Sequence, residues 1–162
     1  MKVTQQSQLY ISADALQIYD LLTTPSTLEP LTRRSIGKAH FINADADSDD
    51  RTFTWTYQFA GATLSTTATL DVQKPGQELG MHLSGDIKGY LHWQLYSAEE
   101  RVRVVLSVDL QLPDGVIGRL TASFVRKQID FELMLVLKNL RSLAEAHPQE
   151  SVLSTFQIDE KV

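Results

Sequence analysis

The sequence predicts an α+β fold, an antiparallel β meander covered on one side by a long C-terminal helix. Three observations carry this. From Val116 to about His147 there is no proline and a single glycine, Gly118, and apolar residues recur at helical spacing. From Ser35 to Pro113 the apolar period changes to two, with turn signals at short, regular intervals. Each strand in that stretch has one apolar face, so the sheet needs a cover on one side only. The long helix is the segment able to supply it.

The elements follow in order. Val3 to Ile11 reads as a strand. Ser12 is a suitable N-cap and Asp14 suits a first turn, which places a helix over Ala13–Leu22. Thr24-Pro25 marks a second start, because proline fits the first helical position. Pro30 limits that helix to about two turns, with a resumption through Arg34 left open. The strands that follow are Ile36–Asn43, Arg51–Phe59, Ala62–Gln73, Glu78–Ser84, Lys88–Ser97 and Arg101–Leu112. Asp45 to Asp50, Ala60-Gly61, Lys74-Pro75-Gly76, Gly85-Asp86 and Ala98-Glu99-Glu100 supply the turns between them.

The inner face is legible strand by strand. Phe53, Trp55, Tyr57 and Phe59 alternate with Thr52, Thr54, Thr56 and Gln58. Leu64, Thr66, Ala68, Leu70 and Val72 share one face of the next strand, and Val102, Val104, Leu106, Val108, Leu110 and Leu112 share one face of the last. Around Gly85-Asp86, a register with one added residue keeps Leu79, Met81 and Leu83 on the face of Leu91, Trp93 and Leu95. The same register puts His82, Tyr90 and His92 on the opposite face.

Composition bounds the function. At 162 residues the chain fits one domain, residues 1–147, with a tail at 148–162. The apolar residues of the tail, among them Val152, Leu153, Phe156 and Ile158, read either as a frayed end or as a segment docked on a neighbouring surface. Hydrophobic residues make up 43% and charged residues 22%, as in soluble globular proteins. A net charge of −5 disfavours nucleic acid and anionic membrane as partners. The absence of cysteine removes disulfides and thiol chemistry. Neither a signal-peptide core nor a run of roughly 20 apolar residues is present. The expected location is the cytoplasm, without stable membrane insertion. The histidines, His40, His82, His92 and His147, suggest no third ligand for a metal site, and no cofactor is expected.

The long helix carries the most specific signal. At 100° per residue Ile117, Leu120, Phe124, Phe131 and Leu135 form one apolar arc, and Val125, Ile129, Val136, Leu140 and Leu143 form an adjoining one. Thr121, Gln128, Glu132 and Asn139 lie between them. An amphipathic helix ordinarily turns its polar groups away from the core. A polar seam between two apolar arcs implies a helix that closes over a space not wholly filled by side chains.

The order strand, two short helices, six strands and long helix adds a further clue. With the patterns Ile11-Ser12-Ala13-Asp14-Ala15-Leu16-Gln17-Ile18-Tyr19-Asp20-Leu21-Leu22 and Phe53-Thr54-Trp55-Thr56-Tyr57, it resembles the START-related superfamily, also called SRPBCC. That group includes birch-pollen-allergen-like and polyketide cyclase/dehydrase-like proteins. The likeness spans roughly residues 3 to 146. It implies a helix-grip fold, a curved seven-stranded antiparallel sheet wrapped around the C-terminal helix, with two short helices after strand 1 and a deep apolar cavity. Members carry lipids, sterols, hydrophobic metabolites or polyketides; some cyclise or hydrolyse them, and others act through protein partners. Fold alone does not choose among these.

The candidate ligand-binding residues are Trp55, Tyr57, Thr121, Phe124, Gln128, Phe131, Glu132, Leu135 and Asn139. Glu132 is the candidate acid or base, because an apolar setting would favour its neutral form, and Gln128 one turn earlier suits a hydrogen bond to the same group. Each has an ordinary reading beside this one: aromatic core for Trp55 and Tyr57, backbone or water partners for Thr121 and Asn139, and an opening or a basic partner for Glu132. The expected function is binding or transport of a small hydrophobic ligand, lipid-like or aromatic. The alternatives are a cyclase, dehydratase or hydrolase using Glu132, and an interaction module with a vestigial cavity. A homodimer is the further association this reading admits.

Overall fold

A computed structural model describes residues 1–32, 40–44, 52–59, 61–117 and 120–146. Strand β1 (Lys2–Ile11) leads into helices α1 (Ala15–Thr23) and α2 (Pro25–Leu31). Six strands follow: β2 (His40–Ala44), β3 (Thr52–Phe59), β4 (Ala62–Lys74), β5 (Glu78–Gly85), β6 (Lys88–Ala98) and β7 (Arg101–Gln111). The short helix α3 (Asp114–Ile117) and the long helix α4 (Ala122–Ala146) close the order. All seven strands form one antiparallel sheet in the order β1-β7-β6-β5-β4-β3-β2, so β1 crosses over to pair with β7 and the rest is a meander. This is the helix-grip arrangement that the element order implied. The tail at 148–162 and the expected extension through Arg34 lie outside the described residues. Among the described residues no helix is long and apolar enough to cross a membrane.

Alternation dictates the two faces. Phe53, Leu64, Ala68, Leu83, Trp93, Val104, Leu106 and Val108 are buried on the inner face. β5 and β6 pair with Met81 opposite Leu91 and Leu79 opposite Trp93, the register with one added residue. Gly85 makes this connection possible. Its φ is +105°, and a Cβ there would stand 2.6 Å from the Ser65 carbonyl oxygen. The loop is then clamped from both sides, the Asp86 N–H donating to the Ser65 carbonyl and the Ser65 N–H to the Asp86 carboxylate, each at 2.8 Å.

Among the described residues the strand pairing slips twice, once between Phe41 and Asn43 in β2 and once in β4. The pairing slips between Leu70 and Val72, so that Leu70 faces Met81 but Val72 faces Gly80. The extra residue, Asp71, turns Val72 onto the outer face, away from the inner row in which simple alternation placed it.

The helix starts also differ from expectation. Helix α1 begins at Ala15 after Asp14, whose side chain makes no capping bond. The Ser12 N–H instead donates to Glu145 Oε1 at 3.0 Å, tying the end of β1 to the end of α4. The long C-terminal run is two helices. Thr121 Oγ1 accepts from the Phe124 N–H at 3.2 Å, an N-cap bond that opens α4 as a separate helix.

The core sits where α4 meets α1 and β1. Leu137, Leu140 and Ala144 are fully buried against Ile11, Ile18, Leu22 and Leu106. Burial of one such leucine contributes about 1.5–3 kcal/mol. A smaller cluster of Val3, Leu112 and Val125 closes the other end of the helix.

Candidate functional site

Members of both core clusters line a partly open cavity of about 200 Å3. Val125, Ile129, Leu133 and Val136 bound it from α4. The inner face of the sheet supplies Leu64, Leu83, Leu91, Val108 and Leu110, with Ile87 and Leu112 at one end. Leu137, Leu140 and Ala144 of α4 lie in the main core with Ile11 and Ile18, while the segment from Val125 to Val136 borders the cavity.

Few of the lining residues carry polar groups. Gln128 and Glu132 line the cavity from α4, and Trp55, Tyr57 and Thr32 line it from β3 and the end of α2. Gln128 Nε2 donates to Glu132 Oε1 at 3.2 Å, the i,i+4 contact that the helix spacing predicts. Thus Trp55, Tyr57, Gln128 and Glu132 come together around one space.

The other five candidates do not line it. Thr121 is exposed and spent on the cap of α4. Asn139 Nδ2 donates to the Leu31 carbonyl at 2.9 Å, which fastens the end of α2 to α4. Phe124 and Phe131 are 51% and 52% exposed, and Leu135 is half-buried. The reason is rotational. The buried stripe runs through Val125, Leu133, Leu137, Leu140 and Ala144. On a helix of 3.6 residues per turn its centre lies about 100° from the polar seam. The seam is therefore the edge of the buried face, and the arc of Phe124, Phe131 and Leu135 lies beyond it.

The apolar walls were legible in the sequence as inner-face residues, but not as cavity residues. Leu64, Leu83, Leu91 and Val108 alternate just as fully packed neighbours do. No local signal marks the depth at which α4 stands off the sheet.

The outer face holds a second polar group. His92 Nε2 meets Glu78 Oε1 at 2.5 Å, and His82 Nε2 meets Asp71 Oδ2 at 3.2 Å. Tyr90 lies beside both imidazoles, with ring centroids 5.0 and 6.0 Å away. The hydrogen bond to His92 holds the Glu78 carboxyl below its ordinary range, with smaller help from the charges of His92 and Lys74 against a desolvation that raises it. Burial pushes the Tyr90 phenol up, followed by the charges of Asp71 and Glu78. Among the described residues no three histidine or carboxylate groups are arranged to hold a metal ion.

No protein-family model and no curated protein matches the sequence. Solved structures do match. TTHA0849 from Thermus thermophilus is 19% identical with a TM-score of 0.73, over 90% of this chain and 100% of that one. The Zhui aromatase/cyclase from Streptomyces sp. R1128 is 15% identical with a TM-score of 0.67, over 90% and 94%. The di-domain ARO/CYC StfQ from the steffimycin biosynthetic pathway is 13% identical with a TM-score of 0.68, over 90% of this chain and 51% of that one. At these identities the likeness concerns the backbone arrangement alone, and this chain shares the helix-grip fold of those structures.

Proposed function

We propose that the chain binds a small hydrophobic molecule in the cavity between α4 and the sheet. One observation carries the reading: an apolar space of about 200 Å3 between α4 and the sheet, with Gln128, Glu132, Tyr57 and Thr32 the few polar residues among its lining. A space of that make-up suits a guest that buries its apolar body and orients through few polar contacts. The experiment is native mass spectrometry of freshly purified protein, with a thermal-shift screen of small hydrophobic compounds alongside. A mass excess released on denaturation, or a compound that raises the melting temperature with concentration, is the expected result. The absence of both a bound mass and any shift across the screen would overturn the proposal.

A second reading, a cyclase, dehydratase or hydrolase, is favoured by the carboxylate of Glu132 on an apolar wall, where a proton donor or acceptor is useful. The fold shared with the two aromatase/cyclases supports it at the level of fold only. Turnover of a bound compound that disappears in Glu132→Gln, with binding retained, separates this reading from simple carriage. An empty cavity together with association through the exposed Phe124 and Phe131 would instead favour the interaction module.

A further inference from the structure

We infer that the guest enters the cavity as a small hydrocarbon body of one or two rings, held there without a hydrogen bond, and that any polar group it carries stays at the open side. The inference rests on the cavity being a ligand site, and it deepens that reading by naming the class.

The surface sets the first limit. Leu64, Leu83, Leu91, Val108 and Val136 have no side-chain hydrogen-bonding group, and the wall that meets the space is almost wholly apolar. The polar side chains among the lining are committed within the protein. Gln128 Nε2 donates to Glu132 Oε1 at 3.2 Å. Glu132, Trp55, Tyr57 and Thr32 are each engaged by further protein groups. A guest hydroxyl taken inside would give up its water and meet hydrocarbon in exchange. Burial of such a group without a partner weakens binding by about tenfold or more, and a carboxylate loses more still. A hydrocarbon surface has no such loss, and its removal from water is itself the driving force.

Size sets the second limit. An apolar cavity of about 150 Å3 takes benzene. On that scale the 200 Å3 here holds roughly eight to ten heavy atoms. Sites for drug-sized ligands start at about 300 Å3. A third fused ring or a long acyl chain would leave much of its apolar surface in water at the open side.

The two limits act on different properties of a guest, so separate probes can fail separately. Equilibrium dialysis of the full chain with naphthalene, 2,6-dihydroxynaphthalene, phenanthrene and dodecanoate tests the class. The diol carries a hydroxyl inward whichever end enters, so turning round does not spare it the apolar wall. We expect naphthalene to bind about tenfold or more tightly than each of the others. Naphthalene binding should be lost in Val136→Phe, whose ring takes the same space. Leu91→Ala widens the space from the sheet side and should narrow the gap between naphthalene and phenanthrene to within about threefold; it serves if the phenylalanine variant does not fold. The diol matching naphthalene overturns the exclusion of polar groups. Phenanthrene or dodecanoate matching naphthalene in the parent chain overturns the size limit. In each of those cases the ligand site stands. Naphthalene held as tightly by a folded Val136→Phe as by the parent chain, or binding of none of the probes with no mass excess in the native spectrum, brings down the ligand site itself.

Discussion

Gln128 and Glu132 stand one helical turn apart and are joined by a 3.2 Å hydrogen bond at the edge of the buried face of α4, where that edge meets an apolar cavity. A polar pair in this position is oriented by its own helix. The space beside it is what distinguishes this helix from one that merely covers a sheet.

If that space is open in solution, filling it should help the fold and harm binding. Val136→Phe adds apolar bulk from α4 into the cavity. The expected outcome is a stability gain of about 1 kcal/mol in urea unfolding, with loss of the thermal shift given by small aromatic compounds. A loss of about 1–3 kcal/mol, the mark of overpacking, would mean the site is already filled.

The packed half of α4 should behave oppositely. Leu137 is fully buried among core side chains. Leu137→Ala should cost about 2–5 kcal/mol, measured by urea denaturation, and leave the cavity residues in place if the chain still folds.

Asn139 links α4 to α2 through the Leu31 carbonyl. Asn139→Leu removes the donor and should cost about 1 kcal/mol. Hydrogen exchange should quicken across Pro25–Leu31 with little change in β6 and β7. Uniform acceleration across the sheet would show that Asn139 supports the whole fold and not this one junction.

The outer face predicts a pH dependence. The Glu78 carboxyl is held below its ordinary value of 4.5, first by the hydrogen bond to His92. The ionised form is thus favoured in the folded chain. Its contribution to stability is present above about pH 4.5 and is lost as pH falls through the lowered value. The groups near it are His92 and Lys74, with Tyr90 and then His82 and Asp71 further along the face. Glu78→Gln should flatten the acid limb of the stability–pH curve. An acid limb as steep as in the parent chain would assign the effect to other carboxylates.

Much of the architecture was already present in the order of residues. The period-two alternation of Phe53, Trp55 and Tyr57 against threonines, and of Val102 through Leu112, is a local property, and sheet pleating turns it directly into an inner and an outer face. Pro25, the Lys74-Pro75-Gly76 turn and Gly85 act through their own backbone restrictions, so their effects could be read without knowing the neighbours. The i,i+4 contact of Gln128 with Glu132 is of the same kind. What was not local was the rotation of α4 about its axis. Two apolar arcs flanked the seam, and nothing in the helix says which of them meets the sheet. That was settled by β1 and α1, which receive Leu137, Leu140 and Ala144 and leave Phe124 and Phe131 outside. The slip at Asp71 and the standing-off of α4 over Leu64, Leu83 and Val108 were settled in the same way. Periodicity reports which residues share a face, but a cavity is a distance between faces, and only the packing of distant segments sets that distance.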